Sequence, residues 1–172
     1  MLDVVVKGSE DLRKMARALR QADREDLRKN LGKALRRSAD PMKKAVKDSA
    51  EHISTRGQRK PGARHPFAKK MEPKGTREKI AAAVTVDVKV EEDDPRMSIR
   101  VASRKLPAEL KNMPQHFDSG EPWRHPVLGN REAWVEQTAD RWFFPPIRDH
   151  IKDVRAEIDK ALDETREMLE RS

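Results

Sequence analysis

The sequence VTVDVKVEEDDPRMSIRV, residues 84–101, decides the fold class of this chain. Apolar residues occupy every second position on both sides of a polar centre, at Val84, Val86, Val88, Val90, Met97, Ile99 and Val101. A period of two places these side chains on one face of a strand. Because residues 91–95 are polar and end in a proline, the pattern predicts a β-hairpin over residues 82–101 with one buried face.

A second strand signal lies at the N-terminus, where apolar and β-branched residues fill most positions from 2 to 6. This run predicts a strand over residues 2–7, which joins the hairpin in a small antiparallel sheet. Ser9 is a favourable N-cap for the helix that follows. The apolar face of that helix holds Leu12, Met15, Ala16 and Leu19.

Helical spacing of apolar residues resumes after an acidic cluster at residues 23–26. It predicts one bent helix over residues 24–52, which Pro41 kinks at residues 37–40. A second long helix is predicted from Pro145-Pro146 to the C-terminus, because its apolar residues recur at spacings of four and three.

The segments between these elements are less regular. Residues 103–126 are expected to be irregular, and residues 132–140 are expected to form a short helix. The outline is an α+β fold in which a small antiparallel sheet packs against long amphipathic helices. We expect residues 1–172 to form a single domain.

The composition indicates a thin core. Charged residues make up 40% of the chain and aromatic residues 4%. Leu, Ile, Val and Phe together form about 19% of it, just under the one-fifth below which highly charged chains tend towards disorder. We therefore expect a subunit that completes its apolar burial against copies of itself, as a homo-oligomer.

Charge is distributed unevenly along the chain. Residues 1–79 contain 23 Lys and Arg against 11 Asp and Glu, whereas residues 80–172 contain 15 against 19. A subunit polarised in this way can stack on an identical neighbour, or it can turn its basic half towards nucleic acid. Both interpretations remain open at this point.

Several classes of protein are excluded by what the sequence lacks. It has no cysteine, which excludes disulfide scaffolds, cysteine-ligated zinc and thiol catalysis. No apolar run approaches the roughly 18 residues of a membrane helix. The N-terminus lacks the basic and apolar regions of a secretory signal, so we expect synthesis in the cytoplasm.

The sequence also lacks the residue patterns that are typical of catalytic and metal-binding sites. No two of its five histidines stand four residues apart, the spacing that places two metal ligands on one helix face. It has no glycine-rich phosphate loop and no serine nucleophile motif. We therefore predict no catalytic, cofactor or metal site, and a protein that is not an enzyme.

A basic segment at residues 54–78 is rich in glycine and proline and poor in apolar residues. It is predicted to be a mobile loop that becomes ordered only against a neighbour or DNA. The candidate contact residues are Arg56, Arg59, Lys60, Arg64, Lys69 and Lys70. Whether they contact a neighbouring subunit or DNA phosphates remains open.

A tryptophan-rich segment follows the hairpin in this aromatic-poor chain. Two of the three tryptophans, Trp123 and Trp134, lie close together, and Trp142 follows shortly after. Such a cluster is either the anchor of a small core or a contact surface. Gly129 and Asn130 are typical turn residues, and the ring of His125 is expected to make a structural hydrogen bond.

The residues of this segment resemble a family signature: Gly120, Trp123, Arg124, His125, Pro126, Val127, Leu128, Gly129, Asn130, Arg131, Trp134, Val135, Gln137, Trp142 and Phe143. The family is that of tail-completion, or head–tail joining, proteins of long-tailed bacteriophages, related to minor tail protein Z. The family motif has an aromatic residue where Leu128 stands, and Pro-Gly-Trp where this chain has Asp140-Arg141-Trp142. The resemblance implies that Trp123, His125, Pro126, Gly129, Asn130, Trp134 and Trp142 form a structural or interface motif.

The same resemblance implies a non-enzymatic virion protein of the phage neck. Such proteins form rings around the DNA channel, expected to be hexamers, between the head connector and the tail. The implied partners are copies of itself, the tail terminator, the head connector or stopper proteins, and packaged DNA. The alternative is a basic DNA-binding accessory protein that contacts phosphates non-specifically, which salt-dependent binding of the isolated protein would favour.

Overall fold

Six helices and six strands make up the part of the chain that the structure, a computed structural model, describes. The described residues are 2–7, 9–57, 75–91, 94–127 and 130–171. In chain order the elements are β1 (Asp3–Lys7), α1 (Glu10–Gln21), α2 (Glu25–Ser38), α3 (Asp40–Glu51), β2 (Thr55–Gly57), α4 (Thr76–Ala83), β3 (Val84–Lys89), β4 (Arg96–Val101), α5 (Met113–Ser119), β5 (Trp123–Val127), β6 (Asn130–Ala139) and α6 (Phe144–Glu170). Short 3₁₀ turns occupy Ser103–Lys105 and Ala108–Leu110.

The first sheet is the predicted one. Strands β3 and β4 pair antiparallel, with Val86 opposite Ile99, and β1 pairs antiparallel with the other edge of β4. Ile99 is buried and its alternate neighbours on β4 are buried with it, so the period-two pattern marks the face that packs on the helices. The predicted hairpin begins too early, because residues 82–83 end helix α4.

A second three-stranded sheet, in the order β2-β6-β5, was not predicted. Residues 132–140 were expected to be helical, but they form most of β6, which pairs with β5 on one side and β2 on the other. Its Trp134, Val135 and Thr138 are aromatic or β-branched, the residue types that fit a pleated surface. The expectation of a helix was therefore wrong: cross-strand pairing outweighs the modest helical propensity of the charged residues.

The N-terminal helix forms as predicted. The Ser9 hydroxyl accepts a hydrogen bond from the backbone N–H of Leu12 at 3.3 Å, and this caps α1. The four predicted apolar residues of α1 are all buried. The chain then reverses at Asp23, whose φ is 52°, and α2 starts at Glu25.

The predicted bent helix is two helices that meet at Ala39. Residue 39 is the C-cap of α2 and the N-cap of α3, and Pro41 lies in the first turn of α3. Proline lacks the N–H that would continue the α2 hydrogen-bond series, but it fits the start of a new helix. The break lies within the residues predicted to kink, and it is complete rather than a bend.

The predicted loop over residues 54–78 is wrong at both ends, and residues 58–74 lie outside the described residues. Thr55–Gly57 form β2, and the backbone N–H of Asp140 donates to the Ser54 carbonyl at 3.2 Å beside that pairing. Thr76–Ala83 form α4, where three consecutive alanines favour a helix.

The segment expected to be irregular contains two regular elements. Helix α5 ends at Gly120, whose φ of 68° is the left-handed conformation that glycine adopts without strain. Strand β5 follows within three residues. The expectation for residues 103–126 was therefore wrong from residue 113 onward, because proline at 114 and 122 marks element starts and turns here rather than continuous coil.

Helix α6 closes the core. It is the predicted C-terminal helix with two prolines in its first turn, and its apolar seam is buried at Ile147, Val154 and Ile158. It packs against α1, α2 and α3. The buried residues of the helices and the first sheet belong to one apolar cluster, which confirms the α+β class.

Candidate functional site

The tryptophan-rich segment, residues 120–142, forms the β5–β6 hairpin and the approach to α6. Its three tryptophans have different environments. Trp142 is 1% exposed and Trp123 is 8% exposed, whereas Trp134 is 52% exposed. Two of them anchor the core of the chain, and the third presents a large apolar surface on the outside.

Side chains alternate between the two faces of the hairpin, and this alternation explains why one tryptophan is buried and another is exposed. Trp123 lies opposite Gln137, and Trp134 lies opposite Pro126, so the two tryptophans project from opposite faces of the hairpin. The inner face also carries Ala139, which is buried. The outer face is turned away from the body of the protein.

Trp123 packs on helix α5. Its ring stacks on His116 with centroids 6.0 Å apart, and it meets Phe117 edge to face at 5.4 Å. Phe117 is buried and His116 is exposed. These contacts fasten the first strand of the hairpin to the helix that precedes it.

Trp142 is fixed to the same helix by hydrogen bonds at both ends of the residue. Its indole N–H donates to the carbonyl oxygen of Pro114 at 3.2 Å, and its backbone N–H donates to Asp118 Oδ1 at 2.9 Å. The ring meets Phe143 edge to face, with centroids 5.5 Å apart. Helix α5 is therefore the support on which both buried tryptophans rest.

Asp118, near the end of α5, is a buried acidic residue that contacts the backbone just before α6. Its Oδ1 also accepts a hydrogen bond from the backbone N–H of Phe143 at 2.7 Å, so it satisfies donors that the first turn of a helix leaves without partners. Burial raises the pKa of the Asp118 carboxyl, and the hydrogen bonds from the backbone N–H groups of Phe143 and Trp142 oppose that rise. Its role is to join two elements.

Trp134 has charged neighbours on the outer face. Arg124 on β5 lies opposite Glu136 on β6, the next pair on the same face as Trp134, and both are exposed. The pairing becomes irregular between Pro126 and Val127, because Val127 lies opposite Asn130. This irregularity places the exposed tryptophan beside a bulge near the hairpin end, a place where strands commonly re-aim a side chain.

The remaining residues of the predicted motif are only partly described. His125 and Pro126 lie in β5 and Asn130 begins β6, but of these three only the backbone is described. Gly129 lies outside the described residues. The predicted hydrogen bond of His125 and the predicted turn at Gly129-Asn130 stay predictions.

Of the basic contact set, only the backbone of Arg56 is described. Its backbone pairs with Thr138 of β6, which brings β2 to the same sheet as Trp134. The other five residues lie outside the described ranges: Arg59, Lys60, Arg64, Lys69 and Lys70. Arg56 is therefore the one member of this set that can be placed beside the tryptophan-rich segment.

Among the described residues, no group of three or more His, Cys, Asp or Glu side chains is placed to hold a metal ion. Two of the histidines make local contacts: Nδ1 of His52 lies 2.7 Å from the Asp48 carbonyl oxygen, and Nδ1 of His150 lies 2.9 Å from the Pro146 carbonyl oxygen.

No helix in the described part of the chain combines the length and apolarity needed to cross a bilayer.

Sequence reasoning missed Asp118 and Pro114. Their partners lie 24 and 28 residues further along the chain, so no local pattern could identify them. The available signal was weak: Asp118 precedes Ser119-Gly120, which marks a helix end.

Comparison of the chain with protein-family models, curated proteins and solved structures finds no significant match. The family resemblance of residues 120–142 therefore stays a prediction from the sequence.

Proposed function

We propose that this chain is a non-enzymatic structural protein of a phage virion, a tail-completion or head–tail connector subunit. It forms a ring around the DNA channel of the neck, between the head connector and the tail. The observation that carries the proposal is Trp134, a large aromatic side chain that is 52% exposed in the segment that resembles the family signature. Exposed aromatic residues of this kind are typical centres of protein–protein contacts.

Two further features support an assembly subunit. Trp123 packs the inner face of the hairpin against α5, and Trp134 on the outer face is exposed. The long helix α6 buries a single apolar seam, and Met168 near its end is 50% exposed. Both surfaces are available for burial against neighbours in a ring.

We expect Trp134→Ala to abolish head–tail joining while leaving the folded subunit intact. The side chain is half exposed, so the change in the free energy of unfolding should stay within about 1 kcal/mol, close to the range of surface substitutions. Electron microscopy of lysates from a phage that carries the variant should show separate heads and tails. Val5→Ala, which removes an apolar side chain that is 44% exposed on β1 and outside the hairpin, is the matched control and should still yield joined particles.

Full infectivity of the Trp134→Ala phage would remove the main support for the proposal. A second, independent measurement is negative-stain imaging of the purified full chain at high concentration, with and without neck partners. Closed rings are expected. A chain that remains single in intact neck complexes would contradict the proposal directly.

One observation favours a second function, non-specific DNA binding. Helices α2 and α3 carry six cations between residues 33 and 47, opposed within that range only by Asp40: Lys33, Arg36, Arg37, Lys43, Lys44 and Lys47. Four of the six are exposed and the other two are half-buried. A surface of this kind can release counterions from duplex DNA.

If that second function is correct, the isolated chain binds duplex DNA with a steep salt dependence. Replacing Lys33, Arg36 and Lys44 together by glutamine should lower the slope of log affinity against log salt by about 3, one for each phosphate that is no longer neutralised. Fluorescence anisotropy over a salt series measures this slope. Arg166→Gln, on the acidic half of the chain, is the control and should leave it unchanged. Absence of binding at physiological salt would exclude this function.

A further inference from the structure

A groove runs between the α2–α3 break and the C-terminal helix α6. Its apolar lining consists of Ala34, Pro41, Val154 and Ala161. The groove has a volume of about 540 Å³, within the range of natural clefts that enclose side chains and ligands.

The two walls of the groove differ in charge. The wall formed by α2 and α3 contributes Arg37. The wall formed by α6 contributes three carboxylates and one lysine: Asp153, Glu157, Glu164 and Lys160. A ligand that is acidic on one side and basic on the other would complement this arrangement.

The outer face of the β5–β6 hairpin has that polarity. Trp134 lies beside a cross-strand pair with Glu136 on β6 and Arg124 on β5. The two strands are about 4.8 Å apart, so the opposite charges lie on the two sides of the hairpin with the indole next to them.

We infer that Trp134 of one copy of the chain docks into the groove of a second copy. Glu136 faces Arg37, and Arg124 faces the acidic α6 wall. The inference rests on the proposed ring and names its subunit contact. Trp134 does not line the groove of its own chain, so the contact joins two different surfaces of two copies. Such heterologous contacts repeat from copy to copy and close into a ring when the rotation allows it.

The absence of native cysteine allows a direct test by disulfide trapping. Full-length Glu132→Cys and Ser38→Cys chains, both of which keep Trp134, are mixed under mild oxidation at about 1 mM, a concentration at which even a millimolar contact is substantially occupied. Glu132 is exposed on β6, two residues before Trp134. Ser38 lines the groove, and cysteine is close to serine in size. We expect about tenfold more covalent heterodimer than either homodimer, equivalent to 1.4 kcal/mol of preference.

The matched control replaces Lys29 by cysteine instead of Ser38. Lys29 is exposed on the same helix and does not line the groove. Mixing the Lys29→Cys chain with the Glu132→Cys chain should give only the statistical mixture of dimers. The same statistical mixture with Ser38→Cys would overturn the inference.

A charge exchange keeps the test independent of the cysteine variants. Arg37→Glu or Glu136→Arg alone should weaken self-association about tenfold, and the two changes together should restore it. Sedimentation velocity measures both effects. Equal weakening in the double variant would contradict the proposed pairing.

Failure of the contact and failure of the proposed function give different results. If the unmodified chain sediments as an oligomer and the cysteine pair stays statistical, the contact is wrong and the neck ring stands. If the two cysteine chains form the covalent heterodimer but imaging shows open filaments, the contact is right and the neck ring is wrong.

Discussion

Trp142→Ala is expected to lower the free energy of unfolding by about 3–5 kcal/mol, the usual cost of removing a large buried aromatic side chain. The ring is 1% exposed and contacts Phe143 edge to face. The substitution also leaves the Pro114 carbonyl without its indole donor. Chemical denaturation followed by circular dichroism gives the change directly, and thermal unfolding should shift by about 2–4 °C for each kcal/mol.

Trp134→Ala is the matched control for this measurement. It removes the same side chain from the same segment, but from the exposed outer face. Its effect on stability should be several-fold smaller. Equal losses for the two variants would mean that the inner and outer faces of the hairpin are assigned incorrectly.

Asp118→Ala is expected to destabilise the chain because it removes one acceptor from two buried donors. The backbone N–H groups of Trp142 and Phe143 both donate to Asp118 Oδ1. Each buried donor left without a partner costs about 1–3 kcal/mol. Asp118→Asn keeps an oxygen at this position, so urea denaturation should show a much smaller loss for asparagine than for alanine.

The pH dependence of the Asp118→Asn variant gives an independent check. Burial raises the pKa of Asp118 in the folded chain above its ordinary value. The folded state therefore holds this proton more tightly than the unfolded state, and the contribution of Asp118 to stability falls as pH rises through the raised folded pKa. Asparagine does not titrate, so its stability relative to the native chain should increase over that interval. A decrease over the interval would show that the carboxylate form is the favoured one.

The first sheet and the main helices were predictable because their signals are local. Val84 to Val101 show a period of two, and α1 and α6 show helical spacing together with Ser9 or proline at their starts. These patterns follow from burial of one face of an element. They do not require knowledge of what that face packs against.

The second sheet was not predictable because the pairing that forms it joins residues far apart in the sequence. Strand β2 has three residues, and it exists because Thr55–Gly57 meet the end of β6 at least 80 residues later. Strand β6 contains charged residues that are acceptable in a helix as well as in a strand, and its pairing with β5 decides between them. Long-range pairing of this kind leaves little local trace.

The tryptophan-rich segment was identified from the sequence, but its division into buried and exposed rings was not. Trp123 and Trp134 have similar local surroundings in the sequence. Which of them is buried depends on the cross-strand register and on the position of α5, where His116 and Phe117 meet Trp123. Neither can be read from residue spacing.

The position of α6 affects when the chain can fold during its synthesis. Translation proceeds from the N-terminus at roughly 5–20 residues per second, so α6 leaves the ribosome after the other described elements. Because α6 packs against α1, α2 and α3, the nascent chain lacks this packing partner for the three helices until α6 has been synthesised. Nascent chains stalled before residue 144 should therefore bind chaperones and be open to proteases. Because residues of α6 line the groove, the groove forms only after α6 has been synthesised.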